Sequence, residues 1–166
     1  SYLSLPYFRA WRMAPKPLGM KPPTVTRCPG SVTKRPRVRL VQALKERGIR
    51  SLDVLAAVGS VPRHRFLDEA LAGRAYEDIP LPIGYQQTIS QPFIVALMSE
   101  KLIAGSAGRK TVLEVGTGCG YQTAILAHLY ERVCSIERIQ PLFERSKNTL
   151  ATLRVDNVEL RYGDGY

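Results

Sequence analysis

An α/β fold, a doubly wound parallel sheet preceded by a helical subdomain, is predicted by three observations. Apolar runs at 111–115, 133–136 and 158–162 alternate with helical periodicity, a glycine-rich turn follows the first run, and residues 39–102 carry short helical patterns. Strand, helix, strand, helix, strand is the beginning of a parallel sheet whose strands, covered on both faces, read as continuous apolar runs.

The chain opens differently. Residues 1–37 hold eight basic groups, no acidic one and seven of the twelve prolines, which predicts a disordered basic tail. The prolines also oppose the continuous amphipathic helix of a transit peptide. Eight of the ten net positive charges therefore reside in the tail, leaving 16 basic against 14 acidic groups, which gives no argument for a nucleic-acid partner of the folded part. No apolar stretch approaches the ~20 residues of a membrane span. Three cysteines, Cys28, Cys119 and Cys134, lack C-x-x-C spacing, which favours a reducing, cytoplasmic setting.

Residues 38–108 form the expected helical and loop subdomain. Leu40, Val41 and Leu44, then Leu52, Leu55 and Ala56, predict two helices separated at Gly48. Pro62 starts a further helical piece reaching Leu71, and Pro80, Pro82 and Gly84 break the next stretch into short extended pieces. A fourth helix is expected from Ser90 or Gln91, with Ser90 able to cap, Pro92 in the first turn, and Ile94, Leu97, Met98 and Leu102 along one face.

Residues 109–166 supply three β units. Strand Thr111–Val115 turns into helix Tyr121–Leu129 through Gly116-Thr117-Gly118-Cys119-Gly120, with Glu114 two positions ahead of the first glycine. Glycines suit a tight turn that a ligand approaches closely, and G-x-G-x-G departs from the G-x-G-x-x-G of a dinucleotide site. Glu137 ends the strand 133–136, where a carboxylate can accept from both ribose hydroxyls, and Gly163-Asp164-Gly165 ends 158–162. Each acid alone reads as a solvated loop residue. Three acids on three successive strand ends, beside one glycine loop, predict a nucleotide-like ligand.

This layout resembles the class I S-adenosylmethionine-dependent methyltransferases, whose fold is Rossmann-like. The resemblance implies S-adenosyl-L-methionine as cofactor, with no metal, held by Glu114, Gly116, Gly118 and Gly120, by Glu137, and by Asp164 with Gly165. Upstream, Ala75 to Gly84, then Gln87-Thr88-Ile89-Ser90-Gln91-Pro92, with Val61-Pro62-Arg63-His64 and Ser135-Ile136-Glu137-Arg138-Ile139, resemble the protein-L-isoaspartate O-methyltransferase family over residues 39–166. The resemblance implies methylation of isoaspartyl carboxylates in damaged proteins, with Ser90 as the catalytic residue and Gln87, Thr88 and Ile89 in the same wall. A monomer is expected, with no nucleic-acid or membrane partner. Gln86 stands where that family commonly has Gly. The family continues beyond Gly-Asp-Gly, so this chain is expected to be a fragment, and a truncated, non-catalytic cofactor- or protein-binding module is the alternative. His64, His128 and Cys119 are expected to be structural.

Overall fold

The computed structural model describes residues 34–165, so Cys28 and the disorder expected of residues 1–33 of the tail lie outside the described residues. Helix α1 (Lys34–Glu46) begins inside the segment expected to be tail. Pro36 falls in its first turn, where a missing N–H removes no helical bond, so that proline marks a start rather than a break. The helix ends as Gly48 predicts. Gly48, at φ +103°, donates to Lys45 O and Ile49 donates to Leu44 O, each at 3.1 Å, the paired closure of a left-handed C-terminus.

Helix α2 (Leu52–Ser60) is capped by Ser51, whose hydroxyl accepts from Val54 N–H at 3.4 Å. The single helical piece expected from Pro62 to Leu71 is instead two 3-10 turns, Arg63–Phe66 and Glu69–Arg74, parted by extended backbone at Leu67 and Asp68. Strands β1 (Leu81–Gly84) and β2 (Gln87–Ile89) then pair as an antiparallel hairpin, Leu81 opposite Ile89 and Gly84 opposite Gln87. Its two turn residues, Tyr85 at φ +54° and Gln86 at φ +57°, are both left-handed without being glycine, the demand of a tight hairpin turn.

Helix α3 (Pro92–Ala104) departs from expectation on two counts. Ser90 does not cap it: the residue ahead of the helix is Gln91, and the first-turn Phe93 N–H is accepted by Asp78 Oδ1 at 2.7 Å. The predicted Ile94, Leu97, Met98 and Leu102 face is also wrong in part. Ile94, Met98 and Leu102 are 38%, 42% and 42% exposed, whereas Pro92, Val95, Ala96 and Ser99 are buried. The helix is apolar nearly all round, and packing selected the face with small side chains, which admits α2 and a later helix closely.

The sheet has strands β3 (Thr111–Val115), β4 (Arg132–Glu137) and β5 (Val158–Tyr162), all parallel and in the order β3-β4-β5. Helices α4 (Tyr121–Leu129) and α5 (Gln140–Thr152) connect them. Two successive right-handed crossovers in one direction put both helices on the same face. Val112 is therefore buried, while its neighbours Leu113 and Val115 are 53% and 64% exposed. Among the described residues, β3 thus alternates instead of being covered on both sides. One continuous core joins the parts: Leu44, Val54 and Val58 of α1 and α2 cluster with Ile125 of α4 and Val133 of β4. The fold is Rossmann-like α/β with N-terminal helices.

Candidate functional site

A parallel sheet gathers its strand ends, and the loops following β3, β4 and β5 meet at one edge. A cleft of about 640 Å³ opens there, within the ~300–1,000 Å³ range of small-molecule sites. Gly116, Gly118, Glu137, Asp164 and Gly165 line it from the strand ends, and Gln87 and Thr88 line it from the hairpin. The structure thus brings together seven of the residues singled out from the sequence.

The glycine loop is constrained from within. Gly116, Gly118 and Gly120 have φ of +91°, +58° and +89°, which other residues adopt only with strain. Gly116 and Thr117 N–H donate to Ile136 O at 2.8 and 3.2 Å, and Gly118 N–H donates to Glu137 Oε2 at 2.7 Å. These amides are engaged by the protein, so the loop offers the cleft the Cβ-free positions Gly116 and Gly118 rather than a phosphate cradle. Gly120 lies outside the cleft lining: a Cβ there would meet Ser146 Cβ at 3.3 Å and Leu150 at 3.4 Å. It lets α4 approach α5. Gly165 has a comparable steric role, since an added Cβ would sit 2.6 Å from Val115 Cγ1.

Glu137 is 5% exposed. Its Oε1 accepts from Ile139 N–H at 2.8 Å while Oε2 takes Gly118, leaving one lone pair on each oxygen for a ligand. Glu114 has a different position. Its carboxylate does not line the cleft but accepts from Thr123 Oγ1 at 2.5 Å and Ser135 Oγ at 2.6 Å, and Thr117 Oγ1 lies 2.6 Å from Ser135 Oγ. Burial pushes the Glu114 carboxyl up to about 7; the Ser135 and Thr123 hydrogen bonds oppose this, and the Glu137 charge reinforces it. Glu114 therefore sits behind the loop, tying β3, β4 and α4 together.

Ile89 is 4% exposed and packs in the core, while Ser90 is exposed at the end of the hairpin and does not line the cleft. Several lining residues were not singled out as site residues from the sequence, among them Ile83, Arg138 and Leu142. Arg138 is adjacent to Glu137 and could have been suggested by that neighbour; Ile83 arrives only through tertiary packing. Arg145 of α5 holds it there, with Nη2 donating to Ile83 O at 2.8 Å and Nη1 3.4 Å from Asp68 Oδ1.

The groups expected to be structural are packed. His64 Nδ1 lies 2.8 Å from the Tyr76 hydroxyl, and burial, with Arg37 and Arg65 nearby, lowers its pKa. His128 is likewise lowered by burial, and burial raises the Cys119 thiol, an environment that disfavours a reactive thiolate. No helix among the described residues is long and apolar enough to cross a membrane.

Comparison with known proteins identifies the family. The family model for protein-L-isoaspartate(D-aspartate) O-methyltransferase matches residues 35–166. The Marinobacter nauticus protein-L-isoaspartate O-methyltransferase 1 is 55% identical over 136 residues, covering 82% of this chain and 62% of that protein. A Nitrosomonas eutropha protein-L-isoaspartate O-methyltransferase is 54% identical over 137 residues, again 82% and 62%. The chain thus spans about three-fifths of the length of these curated relatives. A solved protein-L-isoaspartate O-methyltransferase superposes with TM-score 0.69 at 30% identity, covering 78% of this chain and 43% of that one. A Plasmodium falciparum structure described as a beta-aspartate methyltransferase, in complex with S-adenosyl-L-homocysteine, gives TM-score 0.65 at 28% identity, covering 76% and 62%. The chain belongs to the protein-L-isoaspartate(D-aspartate) O-methyltransferase family.

Proposed function

We propose that the cleft binds S-adenosyl-L-methionine and that the chain serves methyl transfer to the free carboxylate of isoaspartyl residues in damaged proteins. The supporting observation is Glu137, a carboxylate fixed by two backbone amides at the lip of a glycine loop, with Asp164 beside it on the next strand end. That arrangement suits a ribose, and the Cβ-free positions Gly116 and Gly118 suit a ligand lying along the backbone.

The cofactor supplies an electrophilic methyl group on a sulfonium. With that cofactor bound, an acceptor carboxylate oxygen would take the methyl carbon as the carbon–sulfur bond breaks, the electron pair staying on sulfur. No proton need move, because the carboxylate is already ionised at neutral pH. The protein's part is alignment and exclusion of water. Gln87 and Thr88 line the cleft from the hairpin, and in this reading Ser90, exposed just beyond Ile89, donates its hydroxyl to an acceptor carboxylate. A cytoplasmic, monomeric protein acting on damaged polypeptides, not on nucleic acid, fits this reading.

The test uses the 166-residue chain with labelled S-adenosyl-L-methionine, first alone and then with an isoaspartyl peptide or its aspartyl twin. Transfer to the isoaspartyl peptide alone supports the proposal, and Ser90→Ala is expected to reduce transfer at least tenfold with little change in cofactor affinity. Binding without transfer to either peptide would instead favour a non-catalytic module.

A further inference from the structure

Arg63 is 0% exposed, the largest fully buried side chain among the described residues. A guanidinium cannot shed its charge, and burying one costs several kcal/mol unless an acid accompanies it. Here no carboxylate does: none of the ion pairs among the described residues includes Arg63. Its Nη2 donates to the backbone carbonyl of Ser90 at 2.8 Å, while its Nε and Nη1 meet no acceptor in hydrogen-bonding geometry, the Tyr121 phenol being close enough to favour the cation. The guanidinium carbon lies 4.7 Å from the centroid of the Tyr121 ring, which Phe66 meets edge-on. Tyr121 is the first residue of α4, directly after Gly120.

One buried cation therefore touches both halves of the site, the Ser90 peptide on one side and the helix that continues the glycine loop on the other. A methionine would fill similar space without burying charge, so volume alone does not explain an arginine here. The segment around Ser90 has a second tie at Asp78, which accepts from Phe93 N–H, leaving Ser90 held from both directions.

We infer that Arg63 is a positioning residue for the transfer reaction: it fixes the Ser90 peptide against the start of α4, so that ligand seated on the glycine loop orders the Ser90 segment. The inference rests on the proposed role of Ser90.

The test is amide hydrogen exchange on the 166-residue chain with and without S-adenosyl-L-homocysteine, for wild type, Arg63→Gln and Arg63→Lys. Wild type is expected to gain protection at residues 89–93 on binding. Arg63→Gln is expected to lose at least tenfold of that gain while its affinity for S-adenosyl-L-homocysteine stays within twofold, with Arg63→Lys intermediate. Transfer to isoaspartyl peptide should follow the same order, and added guanidinium should restore part of it to Arg63→Ala. Equal ligand-induced protection in wild type and Arg63→Gln would overturn the inference. So would loss of ligand affinity in parallel with melting temperature in both Arg63→Gln and Arg63→Lys, which would make the residue merely structural. Failure of the functional proposal is separate: wild type would then bind no S-adenosyl-L-homocysteine, or transfer to neither peptide.

Discussion

Glu137 and Gly118 are joined by a hydrogen bond of 2.7 Å from the glycine amide to Oε2, while the second carboxylate oxygen takes the Ile139 amide. The acid expected to meet a ligand thus also holds the loop on which that ligand would lie. Hydrogen bonds to a charged acceptor contribute about 1.5–3 kcal/mol each. Glu137→Ala is accordingly expected to lower stability by about 3–6 kcal/mol and weaken S-adenosyl-L-homocysteine binding more than tenfold, read by denaturant unfolding and calorimetric titration. A variant binding like wild type would show that Glu137 serves neither purpose.

The Glu114 carboxyl, raised to about 7 by burial, gives stability a pH dependence opposite to that of a paired acid. Its unfolded pKa, near the usual 4.5, lies below the folded one, so between these values the native state binds the additional proton. Stability is fully present below pH ~4.5 and falls as pH rises toward ~7, by up to about 3 kcal/mol. Glu114→Gln should remove this slope and melt higher than wild type at pH 8. Parallel melting curves across pH 5–8 for the two proteins would contradict the assignment.

Gln86 occupies a left-handed turn position at φ +57°. A Cβ there costs roughly 1–2 kcal/mol, and glycine gives back about 0.5–1 kcal/mol through a freer unfolded chain. Gln86→Gly should therefore stabilise by about 0.5 kcal/mol, a rise in denaturation midpoint at unchanged slope. A lower midpoint would mean that the Gln86 side chain makes a compensating contact.

Gly165 abuts Val115, and an added Cβ would stand 2.6 Å from Val115 Cγ1. Gly165→Ala should displace the Asp164 lip and weaken ligand binding about tenfold with a small effect on melting, since Gly165 is exposed near the end of the described chain. Val115→Ala in the same molecule should restore most of the affinity. Additive losses in the double variant would rule out the clash as the cause.

The sheet was legible because its signals are local. Thr111–Val115, Tyr121–Leu129 and Val158–Tyr162 are apolar or periodic over consecutive residues, and the glycines between the first two have one backbone use. Helix α3 shows where such reading stops. With apolar residues on nearly every side, its sequence could not choose between Ile94, Met98 and Leu102 and the Val95, Ala96 and Ser99 side that packing selected. Asp78 supports the first turn of α3 from fifteen residues away, a relation invisible to any local cap rule.

The sequence by itself determined the alternation of β3, α4, β4, α5 and β5, the glycine turn after β3 and the acids Glu137 and Asp164 at adjacent strand ends, because these follow from local periodicity and from a parallel sheet collecting its carboxyl ends on one edge. Only the tertiary structure decided which acid meets the cleft and which lies behind it, and which cation reaches Ser90. Glu114 turns toward Thr123 and Ser135, and Arg63 crosses 27 positions to the Ser90 carbonyl. A side chain's role at such a site depends on which distant groups satisfy its hydrogen bonds once it is buried, and those partners are brought together by packing.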